Sequence, residues 1–424
     1  MVGGNLIEKM KIWILNHYAT EMYFDGAGRH HAFAKYLKMM GHEIKIFCAN
    51  TVHNSTDVIN LQGDLYSIKN SKDNITYVFV ETRSYTGNGK DRLRNMVTFW
   101  KNVKKTCKDL IGKGDKPDVI LASSVHPLTL VAGEQLGKKY NIPCICEIRD
   151  LWPETLVRFG KLKNNSLLTS LLYKGEKWIY RRATALIFTM EGGKQYIINR
   201  EWENNIDLNK VFYINNGVDL EVFDENKIKY QIKDDDLESD DFKIVYTGSI
   251  GEPNRVDVLV DVAEKLQAKN ISNVKIIIFG SGLKEDEIRK KVIDMGLQNI
   301  IFKGRVEKKY IPYVLSKAEA NILLLVDNGL QEYGISLNKS FEYLAAGKPI
   351  IMDSTCKYNY IEESGCAVIN SDIYQSILDL MNMNEYEYKE KGDNAINMAH
   401  EFDYKVLTDK LEKIINQCIG GYIK

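Results

Sequence analysis

Two segments of this chain carry residue types at spacings suited to chemistry on phosphorylated, hydroxyl-rich molecules. The first runs from Tyr333 to Pro349 and reads YGISLNKSFEYLAAGKP. Its spacing predicts a helix that begins between Ser336 and Asn338 and stops at Gly347, with Lys339 and Glu342 three apart on one face. The helix N-terminus, at Ser336 and Leu337, would offer backbone amides and a partial positive charge to a diphosphate, and Lys339 a full charge. Glu342, one turn further in, can accept both hydroxyls of a ribose. The plainer alternative is a surface ion pair between Lys339 and Glu342, worth roughly a few tenths of a kcal/mol. The second segment is Glu147-Ile148-Arg149-Asp150-Leu151-Trp152-Pro153-Glu154. Asp150 could orient or deprotonate a hydroxyl, with Glu147, Arg149 and His126 as alternates, and Trp152 offers a face for a sugar ring. A core turn at Trp152-Pro153 is the competing reading.

Glycines at strand ends form the next layer. Gly26 and Gly28 follow the first strand, Gly248-Ser249 and Gly280-Ser281-Gly282 follow two later ones, and Gly304 precedes Arg305 and Val306. Such turns let a backbone approach a phosphate, but they also serve as ordinary connections. A dinucleotide fingerprint would need a third glycine where His31 stands, which argues against a nicotinamide site. No acidic pair sits on a strand end to hold a metal-bound phosphate. The acidic run from Asp234 to Asp241 reads as a solvated loop.

The elements that must position these residues alternate between strand and helix. In the first half, strands are predicted at Lys11–Asn16, Ile44–Cys48, Asp118–Ala122, Ile142–Ile148 and Thr184–Thr189. In the second they fall at Lys243–Thr247, Lys275–Phe279, Asn299–Phe302, Ala320–Leu325, Pro349–Met352 and Ala367–Asn370. That rhythm means parallel sheets with helices on both faces, hence an α/β fold of two doubly wound domains. The expected division is 1–215, 216–403 and a last helix in 404–424 that returns to the first domain. The residues before Met10 show no periodicity.

Of 424 residues, 44% are hydrophobic and 27% charged, which excludes a disordered or fibrous chain. No apolar run is long enough to span a bilayer. Seven cysteines with no CxxC pair argue against a disulfide framework and a zinc site, so a reducing, cytoplasmic setting is expected. Net charge is zero, yet residues 1–215 hold 31 basic against 21 acidic residues (+10), leaving 26 against 36 (−10) for the remainder. Basic amphipathic stretches at 83–116 and 158–182 point to an anionic membrane surface, with core-facing helices as the alternative. No recognition motif accompanies the basic half, so nucleic acid is not an expected partner.

With these motifs in order, the chain resembles the GT-B-fold glycosyltransferases of retaining family 4, and the subgroup of fucosamine-type transferases that builds bacterial capsule, O-antigen and exopolysaccharide. The carrying segments are Gly28-Arg29-His30-His31, Gly41-His42-Glu43, Glu147 to Glu154, Asn216-Gly217-Val218-Asp219 and Phe341 to Pro349. The resemblance spans about Met10 to Tyr404. It implies two Rossmann-like domains facing a central cleft, an N-terminal one for acceptor and a C-terminal one for donor. It also implies a UDP-sugar donor, a lipid-linked or polysaccharide acceptor, and peripheral attachment to the inner face of the cell membrane. No cofactor or metal is implied. Residue by residue, Glu342 matches the second glutamate of the E-x7-E element that binds ribose. Lys339 matches a diphosphate lysine, and Arg255 the position that neutralises the leaving phosphate. Gly26 and Gly28 match the loop that closes over that group, while Arg305 and Val306 lie where relatives hold the base. Arg149, Asp150, His126, Glu147 and Trp152 fall on the acceptor side. Three positions depart from the pattern: Gly334 replaces the first glutamate, Ser249 replaces an arginine, and Arg149 stands where relatives often have histidine.

Charge then dictates mechanism. The leaving nucleoside diphosphate gains negative charge as the sugar becomes oxocarbenium-like, and Arg255, Lys339 and the helix N-terminus would stabilise it. The alternatives are a catalytically silent scaffold of a polysaccharide assembly complex, favoured by Gly334, and a nucleotide-sugar 2-epimerase.

Overall fold

The computed structural model describes residues 9–53, 57–85, 87, 89–124 and 126–421. Of the aperiodic stretch before Met10, positions 1–8 lie outside them. The chain divides into two compact units, Met1–Asn215 with Tyr404–Lys424, and Asn216–Asp403.

The first unit is built on eight strands: β1 (Lys11–Leu15), β2 (Glu43–Ala49), β3 (Tyr66–Asn70), β4 (Thr76–Val80), β5 (Val119–Ser124), β6 (Cys144–Ile148), β7 (Ala185–Phe188) and β8 (Val211–Tyr213). Their order is β3-β4-β2-β1-β5-β6-β7-β8, and every neighbouring pair is parallel except β3 and β4. Ile12, Ile14, Ile120, Leu121, Ile145, Leu186 and Ile187 are wholly buried, as expected of strands covered on both faces. The helix Tyr404–Ile419 belongs to this unit. It packs on the helix Arg29–Met39, with Tyr404 edge-on to Phe33 at 5.7 Å and Glu412 bonded to His42 Nε2 at 3.0 Å. Sequence patterning missed β3, β4 and β8. The sequence YSIKN of β3 has only half-buried and exposed positions, so it carries no apolar signal.

The second unit holds six parallel strands: β9 (Phe242–Thr247), β10 (Val274–Phe279), β11 (Ile300–Gly304), β12 (Ala320–Leu323), β13 (Ile350–Met352) and β14 (Ala367–Ile369). Their order is β11-β10-β9-β12-β13-β14. All six were legible in the sequence to within a residue or two. Its core joins Ile244, Tyr246, Ile276, Ile278 and Ile322 to Leu259, Ala263 and Leu266 of the helix Val258–Ala268. The acidic stretch before β9 is more than a solvated loop. Lys303 pairs with Asp234 at 2.7 Å and Asp236 at 2.6 Å, Lys275 with Asp236 at 3.0 Å and Asp241 at 2.8 Å, and Leu237 is buried beneath them. The strand lysines hold the loop down.

Both sheets therefore carry the doubly wound order, in which central strands end beside loops free to receive ligands.

Candidate functional site

In the second unit the loops after β9, β10 and β11 and the helix Asn338–Ala345 bring most of the expected donor residues together. The helix is pinned to the end of β9 by Tyr343, whose hydroxyl accepts from Thr247 N at 2.9 Å. Ser340 bonds Tyr360 through their hydroxyls at 2.6 Å, which fixes its first turn. Ser336 is fixed as well, since its carbonyl accepts from Asn216 Nδ2 at 3.0 Å.

Lys339 extends from this turn onto the ring of Tyr246, 4.3 Å from its centroid, and donates to its hydroxyl at 3.1 Å and to Asn254 Oδ1 at 3.3 Å. Among the described residues no carboxylate pairs with it. Burial lowers its pKa to about 7. Glu342 faces elsewhere, with Lys308 Nζ at 3.7 Å. The surface pair between Lys339 and Glu342 is thus not made; the two side chains serve different neighbours. An ammonium held against an aromatic face without a counter-anion is a ready partner for a phosphate.

Arg255 adopts the left-handed conformation (φ 48°) and donates to Leu325 O at 2.8 Å and Asp353 Oδ2 at 2.5 Å. Asp353 is buried, and its other oxygen accepts from Leu325 N at 2.9 Å. The cation expected to face the leaving phosphate is therefore tied to a carboxylate that sequence reading did not select. Tyr246 and Asn254, which seat Lys339, were also missed. Their signal was positional, since Tyr246 precedes the strand-end Thr247-Gly248 and Asn254 precedes Arg255. The Ser249 carbonyl accepts from the Tyr246 hydroxyl at 2.9 Å, and its Oγ accepts from Asn254 Nδ2 at 2.8 Å. Leu337 is the N-cap residue of the helix, in extended backbone. Arg305 is exposed with no bonded partner among the described residues, and Val306 beside it is half-buried.

Gly280 and Gly282 have a structural cause. A Cβ at Gly280 would stand 1.7 Å from Gly248 O, and one at Gly282 2.3 Å from Ile250 O. The two strand-end loops touch backbone to backbone, so glycine is required there whatever binds. Gly334 has φ 92° and ψ −179°, a conformation essentially restricted to glycine, so the absence of a glutamate at this position is built into the backbone.

In the first unit, the residues on the acceptor side separate into buried and accessible sets. Gly26 caps the helix Thr20–Asp25 in the left-handed conformation, and Gly28 (φ 109°) precedes the helix Arg29–Met39. The expected glycine loop thus contains a short helix. Arg29 is buried and bonds Glu147 Oε2 at 2.7 Å, Asn215 O at 2.5 Å and Ile214 O at 2.9 Å. Glu147 Oε1 takes His30 Nε2 at 3.0 Å and Ser123 Oγ at 2.8 Å. Burial pushes the Glu147 carboxyl up, but Arg29 and His30 outweigh it and hold it well below the usual range. With both oxygens engaged in the interior, Glu147 fixes the loops around it and presents nothing to a ligand.

His126 is also buried, its Nε2 2.6 Å from His17 Nδ1. Burial and Arg92 push it down to about 3, so it is neutral at physiological pH. Asp150, by contrast, is exposed, and Arg149 is half-buried with its Nε lacking a hydrogen-bond partner among the described residues. Trp152 is half-buried after the end of β6. Asp150 and Trp152 line a small gap together with Ser124, Ile148, Glu176 and Tyr180. Earlier along the same face of β6, Cys144 and Cys146 meet Glu134 in the interior, where Cys146 Sγ lies 3.5 Å from Glu134 Oε1.

Residues 24–222 match the family model described as Glycosyltransferase Family 4, and residues 241–382 match the model described as Glycosyl transferases group 1. The two matches follow the two units and together cover well over half of the chain. The chain is a glycosyltransferase of family 4. A comparison with curated protein sequences gives no match. Among solved structures, HepE from Anabaena in complex with UDP is similar with a TM-score of 0.66 at 12% identity, covering 96% of this chain and 100% of that one. A glycosyltransferase from Rickettsia africae gives 0.64 at 16% identity, with 97% and 99% covered. An α,α-trehalose-phosphate synthase (UDP-forming) from Burkholderia vietnamiensis gives 0.72 at 12%, with 98% of each chain covered. These likenesses establish the GT-B fold of the transferase. No helix among the described residues is long and apolar enough to cross a membrane.

Proposed function

We propose that this transferase moves a sugar from a UDP-sugar onto a lipid-linked or polysaccharide saccharide acceptor at an anionic membrane surface, in capsule, O-antigen or exopolysaccharide assembly, with retention of anomeric configuration and without a metal ion. The observation that carries the reading is Lys339, an ammonium without a counter-anion on the first turn of a helix whose N-terminus ends in Ser336 and Leu337. There it neutralises the diphosphate as the glycosidic bond breaks, with the amides of the helix start beside it and Arg255 as a second cation. Glu342 accepts the ribose hydroxyls, and Arg305 and Val306 flank the base. UDP is favoured as the nucleotide because HepE, of similar fold, was crystallised with it. Asp150 meets the attacking hydroxyl, Arg149 supports it, and Trp152 stacks on the acceptor sugar.

Incubation with UDP-sugars and lipid-linked saccharides in the presence of a chelator tests this directly. The expected result is acceptor-dependent release of UDP and a product with the donor's anomeric configuration. Donor turnover that never depends on acceptor, or that stops on chelation, contradicts it.

A further inference from the structure

We propose that the helix Leu167–Arg182 is the element by which the transferase inserts into an anionic lipid surface; this rests on the reading above that the acceptor is membrane-linked. The sequence offered two basic amphipathic stretches, and the structure distinguishes them. In the helix Lys90–Gly112 the apolar residues Met96, Phe99, Val103 and Leu110 are buried in the unit's own core; Leu93 near its start is a lone exposed leucine (60%), and Lys101, Lys105 and Lys108 are exposed further along. In Leu167–Arg182 the arrangement is reversed. Leu167 is 89% exposed, Leu168 54%, Leu171 64% and Trp178 42%. Positions 167, 171, 174 and 178 recur at helical spacing, so these side chains share one outward stripe about 16 Å long.

The stripe is not a core face that failed to find its partner. The inner face is already occupied and locked: Tyr173 donates to Glu154 Oε2 at 2.5 Å, Tyr180 to Glu176 Oε1 at 2.7 Å, and Tyr196 from a neighbouring helix to Glu176 Oε2 at 2.9 Å. The helix therefore cannot roll its leucines inward without breaking buried bonds. Ser166 caps its start by accepting from Thr169 N at 3.1 Å.

Charge selects the occupant. Lys161, Lys163, Lys174, Arg181 and Arg182 are exposed around the stripe. The sole acid between 158 and 182 is Glu176, which is buried and turned away. Burial pushes its carboxyl up to about 8, so it adds no negative charge to the helix at neutral pH. Leucines and a tryptophan flanked along 158–182 by exposed cations, with Arg182 3.9 Å from the buried Glu134, match the interfacial region of a bilayer containing acidic lipid, whereas protein interfaces are depleted in lysine. The Arg182 guanidinium lies 4.9 Å from the Trp178 ring, placing an aromatic and a cation together at headgroup depth.

Flotation of the full chain with vesicles tests the assignment. Phosphatidylcholine alone is compared with a phosphatidylglycerol–phosphatidylcholine mixture, using wild type, the triple variant Leu167→Gln/Leu168→Gln/Leu171→Gln, and Lys101→Gln/Lys105→Gln/Lys108→Gln. Glutamine keeps helix propensity, and all three leucines are exposed, so folding is not at issue. Wild type should float with the phosphatidylglycerol mixture only, and the leucine variant should partition about tenfold more weakly or worse. The lysine variant should stay within about threefold of wild type. No flotation of wild type overturns the proposal, as does an equal loss in the lysine variant. A wild-type dimer in light scattering that the leucine variant disperses would reassign the face to a second copy of the chain. The same wild-type sample is heated with UDP. Stabilisation without flotation removes this assignment and keeps the donor reading, and flotation without stabilisation by any nucleotide does the reverse.

Discussion

The Lys339 ammonium donates to the Tyr246 hydroxyl at 3.1 Å and lies over the same ring, so the cation is held by an aromatic group and by Asn254 in place of a carboxylate. Burial disfavours its charged form and brings its pKa from 10.5 to about 7. A bound diphosphate favours the charged form, so binding above that pH must take up a proton. UDP affinity of the wild type should fall as pH rises from about 7 to 9, by at most about tenfold per unit. Lys339→Arg stays charged and should flatten the profile. Calorimetry in buffers of different ionisation enthalpy reads the proton directly, and a pH-independent wild type would remove Lys339 from the diphosphate.

The same depression has a consequence for the unliganded chain. Between about 7 and 10.5 the folded state binds fewer protons at Lys339 than the unfolded state, so stability attributable to this group rises with pH across that window. Lys339→Met should therefore stabilise the free protein most below about pH 7, with the gain fading toward 10.5. Thermal unfolding across pH measures it.

Arg29 and Glu147 form a buried ion pair at 2.7 Å that also fixes the carbonyls of Ile214 and Asn215. Arg29→Met leaves a buried carboxylate short of its main counter-charge and should cost about 3–5 kcal/mol in denaturant unfolding. Because the folded carboxyl is held low, its stabilisation is present above the unfolded value of 4.5 and is lost as pH falls through the folded value. The double variant Arg29→Met/Glu147→Leu should recover part of the loss. A single variant as stable as wild type would show the pair to be dispensable.

Gly334 bears on the missing glutamate. With φ 92° and ψ −179°, Gly334→Glu would be strained by about 1–3 kcal/mol, so restoring the family residue should destabilise the protein without raising turnover. Thermal unfolding and transfer rate on one sample decide it, and a faster enzyme of unchanged stability would contradict the backbone argument.

Gly280→Ala places a methyl 1.7 Å from Gly248 O, a backbone atom with no flexible end to move. The loops after β9 and β10 must separate, and nucleotide binding should weaken along with stability. Gly41→Ala, where nothing lies within 4 Å, should cost only the strain of its φ of 100°.

Strand periodicity made the second sheet readable, because each of its strands is a short apolar run with glycine, asparagine or a charged residue at one end or both. The edge strand β3 escaped because YSIKN lies half-buried to exposed and so lacks alternation. At the site, Lys339 and Glu342 were legible from helix spacing. Asp353 was not, since its meaning comes from Arg255, 98 positions earlier in the chain. Glu147 and His126 were chosen for their chemistry and as alternates to Asp150. Sequence could not reveal that the first is enclosed by Arg29, His30 and Ser123 and the second by His17. The amphipathic stretches looked alike as sequences, and only the packing of their inner faces separates them.

The most direct test of the account is thermal stabilisation by UDP, GDP, dTDP, ADP, CMP and NAD, each on wild type and on Glu342→Ala. At about one hundred times its dissociation constant a ligand adds roughly 2.7 kcal/mol of stability. The account predicts that UDP stabilises wild type and that the shift is lost in Glu342→Ala. Stabilisation by no nucleoside diphosphate, or an undiminished shift in Glu342→Ala, would contradict the donor site described for the second unit.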